Sequence, residues 1–209
     1  MNILVTAGPT REKIDPVRFI SNYSTGTFGY EVAGEAARRG HKVVLVSGPT
    51  ALTKPRGVRI VRVESAAEML EAVKRNAGKA DCVIMAAAVS DWRPRITKNA
   101  KIKRSGGVKA LELVENPDIL SELGKRKGSI LVGFALETGA LEKNAAAKLG
   151  AKNLDLIVAN KITKDKGVFG CGRTDVFIMD RSGAKERHRR KTKRELAKII
   201  LDKVLKLTI

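Results

Sequence analysis

The sequence contains no glutamine, one tryptophan, two cysteines and two histidines in 209 residues. Cys82 and Cys171 are too few and too far apart for a disulfide scaffold or a zinc ribbon. His41 and His188 lie outside every motif described below, and no Ser-His-Asp or Cys-His constellation is visible. Aromatic residues make up 4% of the chain, which argues against a base-stacking nucleic-acid platform. Acidic residues are scarce relative to basic ones, 22 against 41, so the formal charge is +19 and anionic ligands are expected. No apolar run approaches the ~20 residues needed to cross a bilayer, so no membrane association is expected. The chain opens on MNILVTAG, which reads as a strand and not as a leader, so a cytoplasmic protein is expected. The missing glutamine, beside abundant Lys and Glu, fits the composition of proteins that work at high temperature.

What is present is a core. With 43% hydrophobic residues, the 209-residue chain has enough apolar surface for one generous domain, and no internal repeat or linker divides it. Short β-branched runs recur at Ile3–Thr6, Lys42–Val46, Val58–Val63, Cys82–Ala86, Ile130–Phe134 and Leu156–Val158. Most are continuously apolar and not alternating, as strands covered on both faces should be. Between them, Gly29–Arg39 predicts a helix ending at Gly40, and Ser65–Arg75 one capped by Ser65. Asn116–Lys125 opens on Asn-Pro, read as a cap and first turn, and Leu141–Leu149 and Lys193–Leu207 complete the helices. This alternation predicts an α/β fold: a Rossmann-like open, mostly parallel sheet with helices on both faces and ligands at the carboxyl ends of its strands.

Two segments break the rhythm. Residues 93–115 are polar, with Ser-Gly-Gly between two short alternating runs, and predict an excursive β-hairpin. Residues 174–188 predict a second hairpin around Arg-Ser-Gly. The basic run Lys185–Arg194 has no interleaved aromatic, so it reads as a solvated hairpin end and not as a nucleic-acid patch.

The stretch RFISNYSTGTFG, residues 18–29, sets small hydroxyl donors and glycines at the start of a helix. Backbone N–H groups there, unobstructed at glycine, make a phosphate cradle; the alternative is a capped helix after a turn. It is not a Walker A loop, and Val46-Ser47-Gly48 at the end of the second long strand lacks the acidic residue of a dinucleotide fingerprint.

TAGPTREKIDPVRFISNYSTGTFGYEVA, followed in order by AAAVSDWRP, KIKR, NPDIL, GFALET and NLDLIVAN, resembles phosphopantothenoylcysteine synthetase, the ligase half of the bifunctional coenzyme A flavoprotein. The resemblance runs from about residue 3 to residue 180. It implies a ligase joining 4′-phosphopantothenate to L-cysteine through an acyl-nucleotidylate made from CTP or ATP, with Mg²⁺ required. It also implies a homodimer in which the 93–115 excursion is flap and dimer contact. The flavin-binding decarboxylase half would precede this segment; it is absent here, so residues 1–209 are expected to be the ligase domain alone, without flavin.

The same resemblance implies residue roles. Asn22 would donate to the acyl oxygen as cysteine attacks, although on its own residue type it reads as a turn cap. Ser24, Thr25 and Gly26 would lie against nucleotide phosphates. Ala87, Ala88 and Asp91 follow the strand Cys82–Ala86; the small residues admit a nucleobase, and Asp91 would bind the nucleotide directly or through Mg²⁺. Asn116, Asp118 and Phe134 would lie near the nucleotide, Phe134 reading as core on propensity alone. Lys148 and Lys152, four apart on a helical face, would reach the triphosphate. Lys101 of KIKR would close over the polyphosphate, the fourth position departing from the family's KIKK at Arg104. The competing reading is a non-catalytic, basic nucleotide- or nucleic-acid-binding α/β module.

Overall fold

Strand β1 (Asn2–Ala7) sits inside the molecule, and its side chains divide between two cores: Ile3, Val5 and Ala7 enter one, Leu4 the other. The computed structural model describes residues 1–104, 106–125, 128–161 and 172–207. Ser105 of the expected turn and Cys171 fall outside the described residues. After β1 come β2 (Arg11–Lys13), β3 (Phe19–Ser21), α1 (Thr27–Arg38), β4 (Lys42–Ser47) and β5 (Val58–Arg62). Then follow α2 (Ala66–Ala77), β6 (Cys82–Met85), β7 (Trp92–Pro94), β8 (Leu113–Glu115) and α3 (Ile119–Lys125). The chain continues through β9 (Ile130–Glu137), α4 (Leu141–Ala151), β10 (Leu156–Lys161), β11 (Thr174–Asp180), β12 (Lys185–Lys191) and α5 (Lys193–Lys206).

Eight strands form one sheet in the order β12-β11-β10-β9-β6-β1-β4-β5. Six pair in parallel, and at one edge β11 runs against them, pairing antiparallel with both β10 and β12. Helices α1 and α5 cover one face; α2, α3 and α4 cover the other. The continuous apolar runs therefore lie between two helical layers, as their lack of alternation predicts. From β1 the chain builds outward to β5, then returns to β6 on the opposite side of β1. That reversal opens a crevice at the carboxyl ends of β1 and β6.

Local signals set most boundaries. Ser65 caps α2 by accepting from the Glu68 N–H at 3.2 Å, and Thr192 with Glu195 forms a capping box on α5. Gly40, at φ 83°, lets the chain turn out of α1 just past its Arg39 C-cap. Within α1, Glu35 is buried at 5% exposure and bound by Arg38 and Arg39; Arg39 also pairs with Asp202 of α5.

Three expectations need correction. Helix α3 begins at Ile119, not at Asn116, because Asp118 supplies the cap: its carboxylate accepts the N–H and hydroxyl of Ser121. Among its described residues the 93–115 excursion pairs only at its base, β7 with β8, extended by the Arg95 N–H to the Glu112 carbonyl. Its described tip holds no strand, because a Lys/Arg/Asn-rich run has no apolar face to bury. Residues 97–102 instead bond to the hairpin β2–β3, which divides the long loop after β1 and was not expected.

Candidate functional site

The crevice between β1 and β6 opens into a cavity of about 870 Å³. Its wall takes in Asn22, Ser24, Thr25 and Gly26 before α1, and Ala87, Ala88 and Asp91 after β6. Asn116 and Asp118 before α3, Phe134 in β9, and Lys148 and Lys152 complete the expected set. Residues from five parts of the chain thus meet at one place. Lys101 does not line this cavity; it is exposed on the arm docked against β2–β3.

The loop before α1 is shaped by Gly26, the N-cap, at φ 78°. A Cβ there would lie 2.7 Å from Thr50 Cγ2 and 3.1 Å from the Gly8 backbone, so glycine is required for conformation and for space. The first turn of α1 holds no acidic residue, its N-terminus carries the positive end of the helix dipole, and Gly26, Thr27 and Phe28 line the cavity. The hydroxyls of Thr25 and Thr27 bond to each other at 2.8 Å, and Ser24 Oγ accepts the Gly26 N–H at 3.3 Å. An anion reaching this turn meets backbone donors and hydroxyls with no competing carboxylate.

Two threonines hold the crevice in register, and sequence reasoning missed both. Thr6 Oγ1 accepts the Ala87 N–H at 3.1 Å, and Thr10 Oγ1 accepts the Ser90 N–H at 3.0 Å. The Ala88 N–H donates to the Gly8 carbonyl at 2.9 Å, and the Ala88 carbonyl accepts from the Thr10 N–H and from Asn22 Nδ2. Both threonines are fully buried. The signal was available: two threonines inside an otherwise apolar TAGPT need partners once buried. Phe28, Trp92, Glu115, Asn160, Thr174 and Lys193 also line the cavity without having been singled out for it. Phe28 meets Phe134 edge-on with centroids 4.9 Å apart, so Phe134 is packing and wall at once.

Lys148 and Lys152 are already paired. Lys152, the C-cap of α4, meets Asp118 at 2.9 Å, and Lys148 meets Glu137 at 2.6 Å. Burial raises the Asp118 carboxyl, but Lys152 and Ser121 outweigh it and hold it below its ordinary value. Glu137 follows the same balance: burial acts upward, while Lys148 and Asn144 pull it lower. Each lysine can exchange its carboxylate for a phosphate without being left unpaired. Asn116 acts as a brace, its Nδ2 donating to the Ser90 carbonyl at 2.8 Å and its N–H to the Asp91 carbonyl at 2.8 Å.

Among the described residues no cluster of three or more His, Cys, Asp or Glu side chains could hold a metal by itself. Asp91 and Glu115 do line the cavity, which suits a divalent cation that arrives with phosphates as most of its ligands. Cys82 offers no nucleophile: burial above all, then Asp155 and Asp81, pushes its thiol well up. The segment Asn22–Thr25 is also a wall of a second cavity of about 870 Å³ on the β4 side, which carries Arg11 and Arg62. No described helix is long and apolar enough to cross a membrane.

Known proteins are similar to this chain in sequence and fold. The coenzyme A biosynthesis bifunctional protein CoaBC of Bacillus subtilis is 47% identical over 186 residues, 88% of this chain and 46% of its own length. This chain spans about half the length of such curated relatives. The crystal structure of the C-terminal domain of a CoaBC protein superposes with a TM-score of 0.85 at 41% identity, covering 99% of this chain and 95% of that one. A Cab2 mutant in complex with phosphopantothenate-cysteine shares the fold, with a TM-score of 0.78 at 18% identity over 99% of this chain and 88% of its own. The family described as the DNA/pantothenate metabolism flavoprotein C-terminal domain matches residues 1–207, and the chain belongs to it.

Proposed function

We propose that this chain is a phosphopantothenate–cysteine ligase that activates its acid with a nucleoside triphosphate, CTP or ATP. The observation that carries the proposal is the convergence of Gly26, Ala88, Asp118, Lys148 and Lys152 on one crevice at the switch point of the sheet. The names of its relatives, and the phosphopantothenate-cysteine held by the Cab2 mutant, support the choice of substrates.

In this reading the 4′-phosphopantothenate carboxylate attacks the α-phosphate, the bond to the departing pyrophosphate breaks, and an acyl-nucleotidylate remains. The cysteine amine then attacks the acyl carbon, nucleoside monophosphate leaves, and the amide nitrogen loses its proton. No protein nucleophile is needed. The turn at Gly26 and Thr27 holds phosphate oxygens, and Lys148 and Lys152 release Glu137 and Asp118 to neutralise the leaving polyphosphate. Asn22 keeps one amide N–H on the Ala88 carbonyl and presents the other to the acyl oxygen as it gains charge. Asp91 would hold Mg²⁺, which would supply charge neutralisation between two polyanions.

The arm between β7 and β8 exposes Ile96, Val108 and Leu111, and β8 adds Leu113, with Val108 fully exposed. This unpartnered apolar surface supports a homodimer through the arm. Within the basic run, Arg187 and Lys185 pair with Glu142 and Lys191 with Glu195, so three of its basic residues are engaged in ion pairs, which weighs against the competing nucleic-acid reading.

Pyrophosphate release measured across four nucleoside triphosphates tests the proposal. Release should require phosphopantothenate and Mg²⁺, and phosphopantothenoylcysteine should appear once cysteine is added. Nucleotide hydrolysis indifferent to phosphopantothenate, or salt-sensitive nucleic-acid binding without turnover, would favour the binding module.

A further inference from the structure

We infer that Asp15 is a positioning residue for this reaction, latching the arm that carries Lys101 to the hairpin that leads into Asn22. The inference rests on the ligase reading for its functional half and on geometry for the rest. Asp15 lies in the turn between β2 and β3, yet it is only 2% exposed. Its Oδ1 accepts the N–H groups of Val17 and Arg18, both at 2.9 Å. Those two bonds suffice for an ordinary Asx turn. The second oxygen goes elsewhere: Oδ2 accepts Arg18 Nε at 3.0 Å, Arg18 Nη2, and the N–H of Ile102 at 3.0 Å, a residue 87 positions away.

Arg18 then donates to the Ile102 carbonyl at 2.9 Å, so the Asp15–Arg18 pair takes both the N–H and the C=O of Ile102. Two further bonds close the seam. The Lys98 N–H donates to the Ile14 carbonyl at 2.9 Å, and Thr97 Oγ1 donates to the Lys13 carbonyl at 3.1 Å. Residues 97–102 therefore lie along the hairpin at three points, and Lys101 sits immediately before the latch. From the hairpin the path to the site is short. β3 ends at Ser21, whose hydroxyl donates to the Thr10 carbonyl at 2.7 Å, and the next residue is Asn22. The Arg18 contact, and next the Ile102 N–H, hold the Asp15 carboxyl well below the usual carboxylate range, as expected of a charge committed to structure.

Asn22, which lines the cavity, and Lys101, which the resemblance assigns to the reaction and which lies outside the cavity, are thus fixed to one scaffold. Lys148 and Lys152, on α4 and at its C-cap, line the cavity from an element outside both the hairpin and the arm. Loosening the latch should lower turnover and leave nucleotide affinity nearly intact.

The variant Asp15→Asn keeps the shape but sets an amide donor against the donors of Arg18 or Ile102. Limited trypsin digestion of the full chain, mapping cuts after Lys98, Lys101, Lys103 and Arg104, reports arm release; kcat and nucleotide KM are measured beside it. Cleavage within the arm should rise about tenfold. Turnover should fall about tenfold, with KM within about threefold of wild type. Unchanged cleavage overturns the latch, and faster cleavage with unchanged turnover overturns its positioning role. A wild type without ligase turnover defeats the functional reading instead, and the cleavage comparison still decides the latch. If Asp15→Asn does not fold, amide exchange in the wild type decides: the Ile102 N–H should exchange more slowly than those of Lys101 and Lys103, and equal rates overturn the inference.

Discussion

Asn22 Nδ2 lies within 2.8 Å of the carbonyl oxygen of Ala88, 66 residues further along the chain. This bond joins the loop before α1 to the end of β6 across the mouth of the crevice. It orients the amide while the side chain stays exposed. Replacing Asn22 with Ala should slow amide formation by about 10²–10³-fold, the usual cost of one oxyanion donor. Activation of the carboxylate should suffer less, so rapid quenching should reveal accumulated acyl-nucleotidylate. A ligase rate near wild type would reduce Asn22 to a brace.

Gly26→Ala tests the cradle. The left-handed conformation costs an alanine about 1–2 kcal/mol, and its Cβ would press on Thr50 Cγ2. Chemical denaturation should show the stability loss, and calorimetry a nucleotide affinity weaker by about tenfold, equivalent to about 1.4 kcal/mol. Adding Thr50→Ser removes the methyl group but keeps the hydroxyl that bonds Tyr30 at 3.2 Å. The double variant should recover part of both losses; no recovery would mean that the contact with Thr50 is unimportant.

Lys148→Ala and Lys152→Ala should separate binding from folding. Their ion pairs are partly exposed, so each should change stability by less than about 1 kcal/mol. Nucleotide KM should nevertheless rise about tenfold or more for each, because charge-assisted phosphate contacts are lost. Unaltered nucleotide kinetics in both would assign the lysines to the surface alone.

Glu35 sets an acid limit on stability. The Arg38 hydrogen bond lowers its pKa below the ordinary 4.5, burial opposes this, and Arg39 adds to the lowering. A carboxyl depressed in the folded state stabilises the protein above its unfolded pKa, and that contribution is lost as pH falls through the folded value. Glu35→Gln should therefore cost about 1–3 kcal/mol at neutral pH. Urea titrations taken from neutral pH down past 4.5 should show the gap to wild type closing. A gap independent of pH would contradict this account.

The arm supplies a test of assembly. Light scattering should give a homodimer, and charging the arm with Val108→Glu and Leu113→Glu together should shift it toward monomer and lower turnover. A fully active wild-type monomer would contradict the assembly.

Much of the architecture was legible because its causes are local. Strand positions follow from continuous β-branched runs, and Ser65, Thr192 and Gly40 mark helix ends through bonds or torsions within a few residues. The Gly26 turn was likewise legible as a glycine-and-hydroxyl loop before a helix, and it does line the cavity. The start of α3 was misplaced because Asn-Pro and Pro-Asp both offer caps, and the choice depends on Asn116 being drawn to Ser90 and Asp91 of another segment. The β2–β3 hairpin escaped notice because three-residue strands carry almost no periodic signal. Only the tertiary structure decided which carboxylates hold Lys148 and Lys152, how Thr6 and Thr10 pin the crevice, and where the Lys101 arm docks. Each of the threonine pins and the Asp15 latch joins residues 80 or more positions apart. Such partners are selected by sheet order and burial, and neither is encoded in the neighbours of either residue.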